Sequence, residues 1–184
     1  WITSRGLGDV YKRQTPSALN KALFPWLKSL YPIWSKLTPE DIKISTKLSI
    51  AELLLSGCTT TSDHHYVFPE GLEEALAIQY EEIVDSGIRA TLTRGSMCLG
   101  EEDGGLPPQT VIQSEDEIIR SSESAITRFH DASPGAMVQV ALAPCSPFSV
   151  TEEIMLGIAD LAKKSGVRTH THLAETEDET IFCK

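Results

Sequence analysis

At 184 residues, with 41% apolar and 23% charged side chains, the chain is long enough for a domain with a sizeable core. A net charge of −10 with no Lys/Arg cluster excludes a nucleic-acid polymer as partner and suits a small neutral or cationic substrate. No apolar run approaches the roughly 20 residues of a membrane span, no secretory leader pattern opens the chain, and Cys58, Cys98, Cys145 and Cys183 form no CxxC pair, so free thiols in a reducing cytoplasm are expected.

Residues 1–14 show no helical or strand period and read as a non-native assembly scar or a disordered arm. From residue 16 to 37 a helical pattern carries Leu23, Phe24, Trp26, Leu27, Leu30, Tyr31 and Trp34, suited to core packing more than to a dimer contact. Thr38, Pro39 and Asp41 then open a capped helix with Ile44, Leu48, Ala51 and Leu55 on its expected buried face, and Gly57 closes it.

Strands and helices alternate from there. A strand over 58–62 leads to Asp63-His64-His65, and a helix over 70–85 ends at Gly87. A strand over 88–93 runs into Arg94-Gly95-Ser96 and a Gly/Pro loop over 97–111, read as a lid or a solvated acidic loop. Ser114 and Glu117 form a capping box for a helix to Phe129, with Ile118, Ser122, Ala125 and Phe129 on one face. A strand over 137–143 ends at Pro144-Cys145-Ser146. Ser149 and Glu152 suggest a second box for a helix with Ile154, Ile158 and Leu161, closed by Gly166. A last strand spans 167–172.

The order β-α-β-α-β-α-β implies a parallel sheet. A doubly wound sheet is the rival, but no strand is followed by a Gly-rich phosphate loop. Chemically capable residues end every strand, as a barrel with its site at the strand ends requires. The expected fold is therefore α/β, a partial TIM-like (β/α)₈ barrel.

Strand alternation puts His170 and His172 on one face, and the following loop carries Glu175 over it. A His followed three residues later by a Glu can supply a metal ligand and a proton shuttle on one water. This reading is preferred to a His pair packed in a strand. His64 or His65 can contact a ligand or orient a metal-binding group, the alternative being one packed and one solvated ring. Arg94 and Ser96 can bind a substrate carbonyl or anion, unless Arg94 merely pairs with an acid. Cys145 can touch substrate or be an inert buried thiol. A cytidine-type zinc deaminase is rejected, since neither H-x-E nor P-C-x-x-C occurs.

The run Ala51-Glu-Leu-Leu-Leu-Ser-Gly-Cys-Thr-Thr-Thr-Ser-Asp-His64, the segment Arg94-Gly-Ser-Met97, the stretch Ala141-Leu-Ala-Pro-Cys-Ser-Pro-Phe-Ser-Val150 and Thr169-His-Thr-His-Leu-Ala-Glu-Thr176 resemble the amidohydrolase superfamily. Within it they are most similar to the branch of 8-oxoguanine deaminase and hydroxydechloroatrazine ethylaminohydrolase. The resemblance covers residues 15–184 and implies a metal-dependent deaminating hydrolase on a distorted TIM barrel. It implies His172 as the metal-binding His of the fifth barrel strand and Glu175 as the carboxylate that moves a proton to a ring nitrogen. It also implies one divalent ion, zinc first and iron second, a small heterocyclic substrate and a homo-oligomer. Cys145 stands where many relatives have a substrate-contacting His, which points to a different pocket. The family's His-x-His would precede residue 15, and its later His and Asp would follow residue 184. The chain is thus expected to be strands two to five of a barrel truncated at both ends, inactive alone. The expected reaction is hydrolytic deamination of an 8-oxoguanine-like purine, with release of ammonia. The alternatives are an s-triazine aminohydrolase, another cyclic amidohydrolase, or an inactive half-barrel.

Overall fold

In chain order, four parallel strands form one sheet: β1 (Thr60–Ser62), β2 (Arg89–Ser96), β3 (Val138–Pro144) and β4 (Arg168–Thr169). The computed structural model describes residues 15–184, so the segment 1–14, read as a scar or an arm, lies outside the described residues. Helices α1 (Leu23–Trp34) and α2 (Pro39–Leu55) precede the sheet. Helices α3 (Ala75–Ser86), α4 (Glu115–Phe129) and α5 (Glu152–Ser165) connect successive strands, and α6 (Glu177–Phe182) follows β4. Strands added one after another in the same direction are the arrangement of a barrel wall; a doubly wound sheet reverses order at a switch point.

The register assigns the two faces of the sheet. Ala90 pairs with Val138 and Leu92 with Val140, and all four are buried against α2, α3 and α4 together with Ile50, Leu76, Ile83 and Ala125. Leu142 continues that face into a second cluster with Ile118, Ile154 and Ile158. Residues of the opposite parity look toward the other face. A third cluster ties α1, through Leu27 and Tyr31, to Met97, Leu106, Val111 and Phe148. The aromatic band of α1 is therefore core.

Local signals hold where short-range hydrogen bonds decide the outcome. Thr38 Oγ1 accepts from the Asp41 N–H at 3.3 Å, and the Thr38 N–H donates back to Asp41 at 2.9 Å. Gly57, Gly87 and Gly166 end their helices with left-handed φ of 86°, 70° and 69°. Ile118, Ser122 and Ala125 are buried on α4 as expected.

Four expectations are corrected. The buried face of α2 is Ile42 and Ile50, while Ile44, Leu48 and Leu55 are exposed. Apolar residues lie all round this helix, so periodicity does not select the face that meets α3. Ser149 does not cap α5: its hydroxyl is buried and bonded to Ser146, and Thr151 Oγ1 accepts from the Ile154 N–H instead. Only half of the Ser114 box forms, because the Glu117 carboxylate accepts from Gln113 Nε2. The last strand is short, Arg168–Thr169, and residues beyond it run as irregular chain. Among the described residues, no helix is long and apolar enough to cross a membrane.

Candidate metal centre and proton-transfer site

Parity brings the histidines together. Arg168 pairs with Ala141, and Ser62 with Thr91, so His64, Cys145, His170 and His172 continue the face away from the helices. The ligand atoms of His64, Cys145 and His172 all lie within 4.8 Å of one another. The His64 ring centroid is 4.1 Å from that of His172 and 4.6 Å from that of His170.

The Cys145 carbonyl orients His172. It accepts from the His172 backbone N–H at 3.0 Å and lies 3.1 Å from Nδ1. A carbonyl only accepts, so Nδ1 carries the proton and Nε2 keeps a lone pair for a metal. His64 has both ring nitrogens buried without a partner among the described residues. Burial, then the neighbouring His172 and His170, pushes its pKa down to about 3, so it is a neutral imidazole. Orphaned imidazole nitrogens beside a His with an available Nε2 suit a divalent cation.

Burial pushes the Cys145 thiol up to about 12, and the Glu175 charge adds to the rise. Cys145 is therefore a small protonated contact rather than a nucleophile. Glu175 is exposed, and its field also raises the buried Tyr66 hydroxyl, after the larger effect of burial. Its carboxylate thus lies within electrostatic reach of the cluster.

The other candidates are placed elsewhere. Arg94 shares the parity of Ala90 and Leu92 and turns into the helix layer, not toward the histidines. It lies 4.0 Å over the Phe68 ring and donates to Gln113 Oε1 and Ser121 Oγ, each at 2.7 Å, and to the Gly95 carbonyl. The expected substrate anchor is in fact a core guanidinium with all its visible bonds internal. His65 follows it, packed on Phe68, with burial and then Arg94 depressing its pKa to about 4. Ser96 is buried, its Oγ has no partner among the described residues, and its carbonyl accepts from the Cys145 N–H. The 97–111 loop is anchored rather than hinged: Cys98 and Leu99 donate to the Ser149 carbonyl, Leu106 donates to that of Phe148, and the exposed residues are the acidic tip 101–104 with Gln109 and Thr110.

Gly95 sets how closely β2 approaches the His65–Tyr66 segment. A Cβ there would lie 2.1 Å from the His65 carbonyl oxygen and 2.6 Å from Tyr66 Cα. Gly95→Ala is expected to lower stability by about 3 kcal/mol, the upper range for overpacking, read as a lower urea midpoint.

Asp63 points to the helix side, where Thr93 donates to Oδ1 from N–H at 2.6 Å and from Oγ1 at 3.0 Å, and Gln79 donates to Oδ2 at 3.1 Å. Burial outweighs these bonds and raises its pKa from 3.8 to about 6. The folded state therefore holds this proton more tightly than the unfolded state. Stability falls as pH rises from about 4 to about 6 and is level beyond, a loss of roughly 3 kcal/mol. Asp63→Asn should remove that slope, seen as the difference between the two thermal-midpoint profiles across this pH range.

The residue that sequence reasoning missed is Glu179, whose buried carboxylate holds the Ala174 and Glu175 amides. Its spacing of four from Glu175 is visible in the chain, but nothing in the sequence announces which N–H groups a carboxylate will reach.

Known proteins resemble this chain in sequence and fold. The chain is 59% identical over 165 residues to 8-oxoguanine deaminase of Pseudomonas aeruginosa, covering 90% of this chain and 37% of that protein. It is 35% identical over 160 residues to hydroxydechloroatrazine ethylaminohydrolase of Pseudomonas sp. strain ADP, covering 86% and 33%. The solved structure of atrazine chlorohydrolase from Arthrobacter aurescens, complexed with zinc, superposes with a TM-score of 0.83 at 28% identity, over 89% of this chain and 38% of that one. The chain thus spans little more than a third of the length of these relatives. The sequence profile of the amidohydrolase family matches residues 9–183, and the chain belongs to that family.

Proposed function

We propose that this chain is the segment carrying strands two to five of a barrel that hydrolytically deaminates an amino-substituted heterocycle, an 8-oxoguanine-like purine. The observation that carries the reading is the irregular segment just beyond β4: the Cys145 carbonyl orients His172 through Nδ1, and Glu175 stands three residues on within electrostatic reach of the same cluster. The 59% identity to an 8-oxoguanine deaminase supports the substrate class.

His172 would hold one divalent ion, with further ligands from outside the chain; zinc is favoured by the relative crystallised with it, and iron suits the same donors. Such an ion, when bound, lowers the pKa of water from 15.7 to about 7. Glu175 accepts the proton as the water oxygen attacks the amine-bearing ring carbon, then delivers it to the adjacent ring nitrogen. The second proton of the water passes from the new C–OH to the amine, which leaves as ammonia, and a ring carbonyl remains. Neutral His64 and protonated Cys145 offer uncharged contacts to the ring, whereas Ser96 shares the parity of Arg94 and lies on the helix side of β2. Arg94 takes no part.

The test is ammonia release by the complete protein from 8-oxoguanine and guanine, beside alkylamine release from an N-ethyl hydroxytriazine. Ammonia from the oxopurine supports the reading. Amine release from the triazine alone favours the second reading, an s-triazine aminohydrolase, to which the 35% identity points. Release from none of them overturns both.

Isolated, the 184-residue chain should aggregate and show negligible turnover, because β1 and β4 each leave one edge unpaired among the described residues. A monomeric product that unfolds cooperatively would contradict this. We place the complete protein in the cytoplasm, where the four free thiols of this chain stay reduced, and expect a homo-oligomer, measurable by light scattering. The exposed Ile44, Leu48 and Leu55 on α2 give such an assembly apolar area to cover.

A further inference from the structure

Glu179, on the short helix α6, is only 2% exposed, and neither ion pair among the described residues involves it. A carboxylate buried without a cation needs its oxygens satisfied by hydrogen bonds. Both are: Oε1 accepts from the Ala174 N–H at 2.9 Å, and Oε2 from the Glu175 N–H at 2.6 Å.

Ordinary helix capping does not explain this pattern. Thr176 is the N-cap of α6 and Glu179 its third helical residue. In a capping box such an acid reaches back to the N–H of the cap itself. Glu179 reaches past Thr176 into the loop between His172 and the helix and holds two consecutive amides there. One of them belongs to Glu175. The other belongs to Ala174, which sits at φ 54°, a left-handed conformation that is unfavourable for a non-glycine residue and persists only where neighbours impose it.

We propose that Glu179 is a positioning residue for Glu175: its carboxylate clamps the 174–175 backbone and so fixes where the Glu175 side chain leaves the loop. The inference rests on the role given to Glu175 under the proposed function. Its physical basis is that proton transfer requires the carboxylate within hydrogen-bond reach of both water and ring nitrogen, while β4 and its orienting bond to Cys145 hold His172 independently.

The test is a double-substitution cycle in the complete, metal-loaded enzyme, with ammonia release as the rate. Glu179→Gln keeps the size of the side chain but turns an NH₂ toward one of the two amides. We expect kcat to fall about 10-fold or more, with KM and metal content within about twofold, as for a misplaced catalytic group. On a Glu175→Gln background the same change should alter the residual rate by less than about twofold, since two residues acting through one step are not additive. If Glu179→Gln yields no folded protein, Glu179→Asp keeps the charge but is one methylene short, and the same fall in kcat is expected. Unchanged kcat in the folded variant, a loss that multiplies in full onto Glu175→Gln, or a loss matched by missing metal would each overturn the proposal. Wild-type turnover in Glu175→Gln itself would instead remove the deaminase role of Glu175, and the positioning role with it.

Discussion

Glu175→Gln in the complete protein should keep its metal and lose turnover by about 10²-fold or more, the loss that follows removal of a general acid–base. The substitution is nearly isosteric, and Glu179 holds the backbone N–H of residue 175 rather than its side chain. Loop geometry should therefore survive, and only the capacity to take and return a proton is removed. The measurement pairs metal analysis with ammonia release on the same preparation. Turnover at the wild-type rate would sink the assignment of Glu175. Loss of metal would show that the carboxylate binds the ion rather than moving the proton.

His172→Ala should do the opposite and strip the metal. The Cys145 carbonyl orients the imidazole through Nδ1–H and leaves Nε2 as the nitrogen that can meet a metal, and alanine removes that ligand atom with the ring that carries it. The backbone bond from residue 172 to the same carbonyl, 3.0 Å long, does not depend on the side chain, so the segment after β4 should stay in place. Near-wild-type circular dichroism with metal content reduced by about 10-fold or more, the effect of losing a directly bound ligand or its orienting partner, is the expected pair of results. Full occupancy would exclude His172 as a ligand. Unfolding would show instead that the ring is needed to pack against His64.

Together the two substitutions separate binding from proton transfer. Part of that separation is legible in the residues themselves. His172 and Glu175 stand out because a strand pattern ends beside them, and their spacing is a local property. The same holds for Thr38 and Asp41, whose mutual hydrogen bonds span three residues of chain. Helix-closing glycines and the alternation of strand and helix belong to this class.

The differences between expectation and structure fall elsewhere. Arg94 follows a strand and so reads as facing a substrate, yet counting from Ala90 and Leu92 assigns it to the helix side. That parity can be counted in the sequence, but which parity faces the helices is decided by pairing with Val138 and Val140, more than 40 residues away. Ser149 resembles a cap as closely as Thr151 does, and burial against Ser146 separates them. On α2, Ile42 and Ile44 are equally apolar, and only contact with α3 selects the first. Glu179 is one acid among many in a chain of net charge −10 until the fold places two amides against it.

Element type, chain order and most helix ends thus follow from the residues alone, because hydrogen bonds and periodicities spanning a few residues specify them, and the three-residue spacing of His172 and Glu175 is legible there too. Which face is buried, the meeting of His64 and Cys145 with His172, the inward turn of Arg94 and the clamp by Glu179 come from the fold. Those depend on strand register and on packing between segments tens of residues apart, where several arrangements are locally equivalent and the buried area and hydrogen bonds of the whole select one.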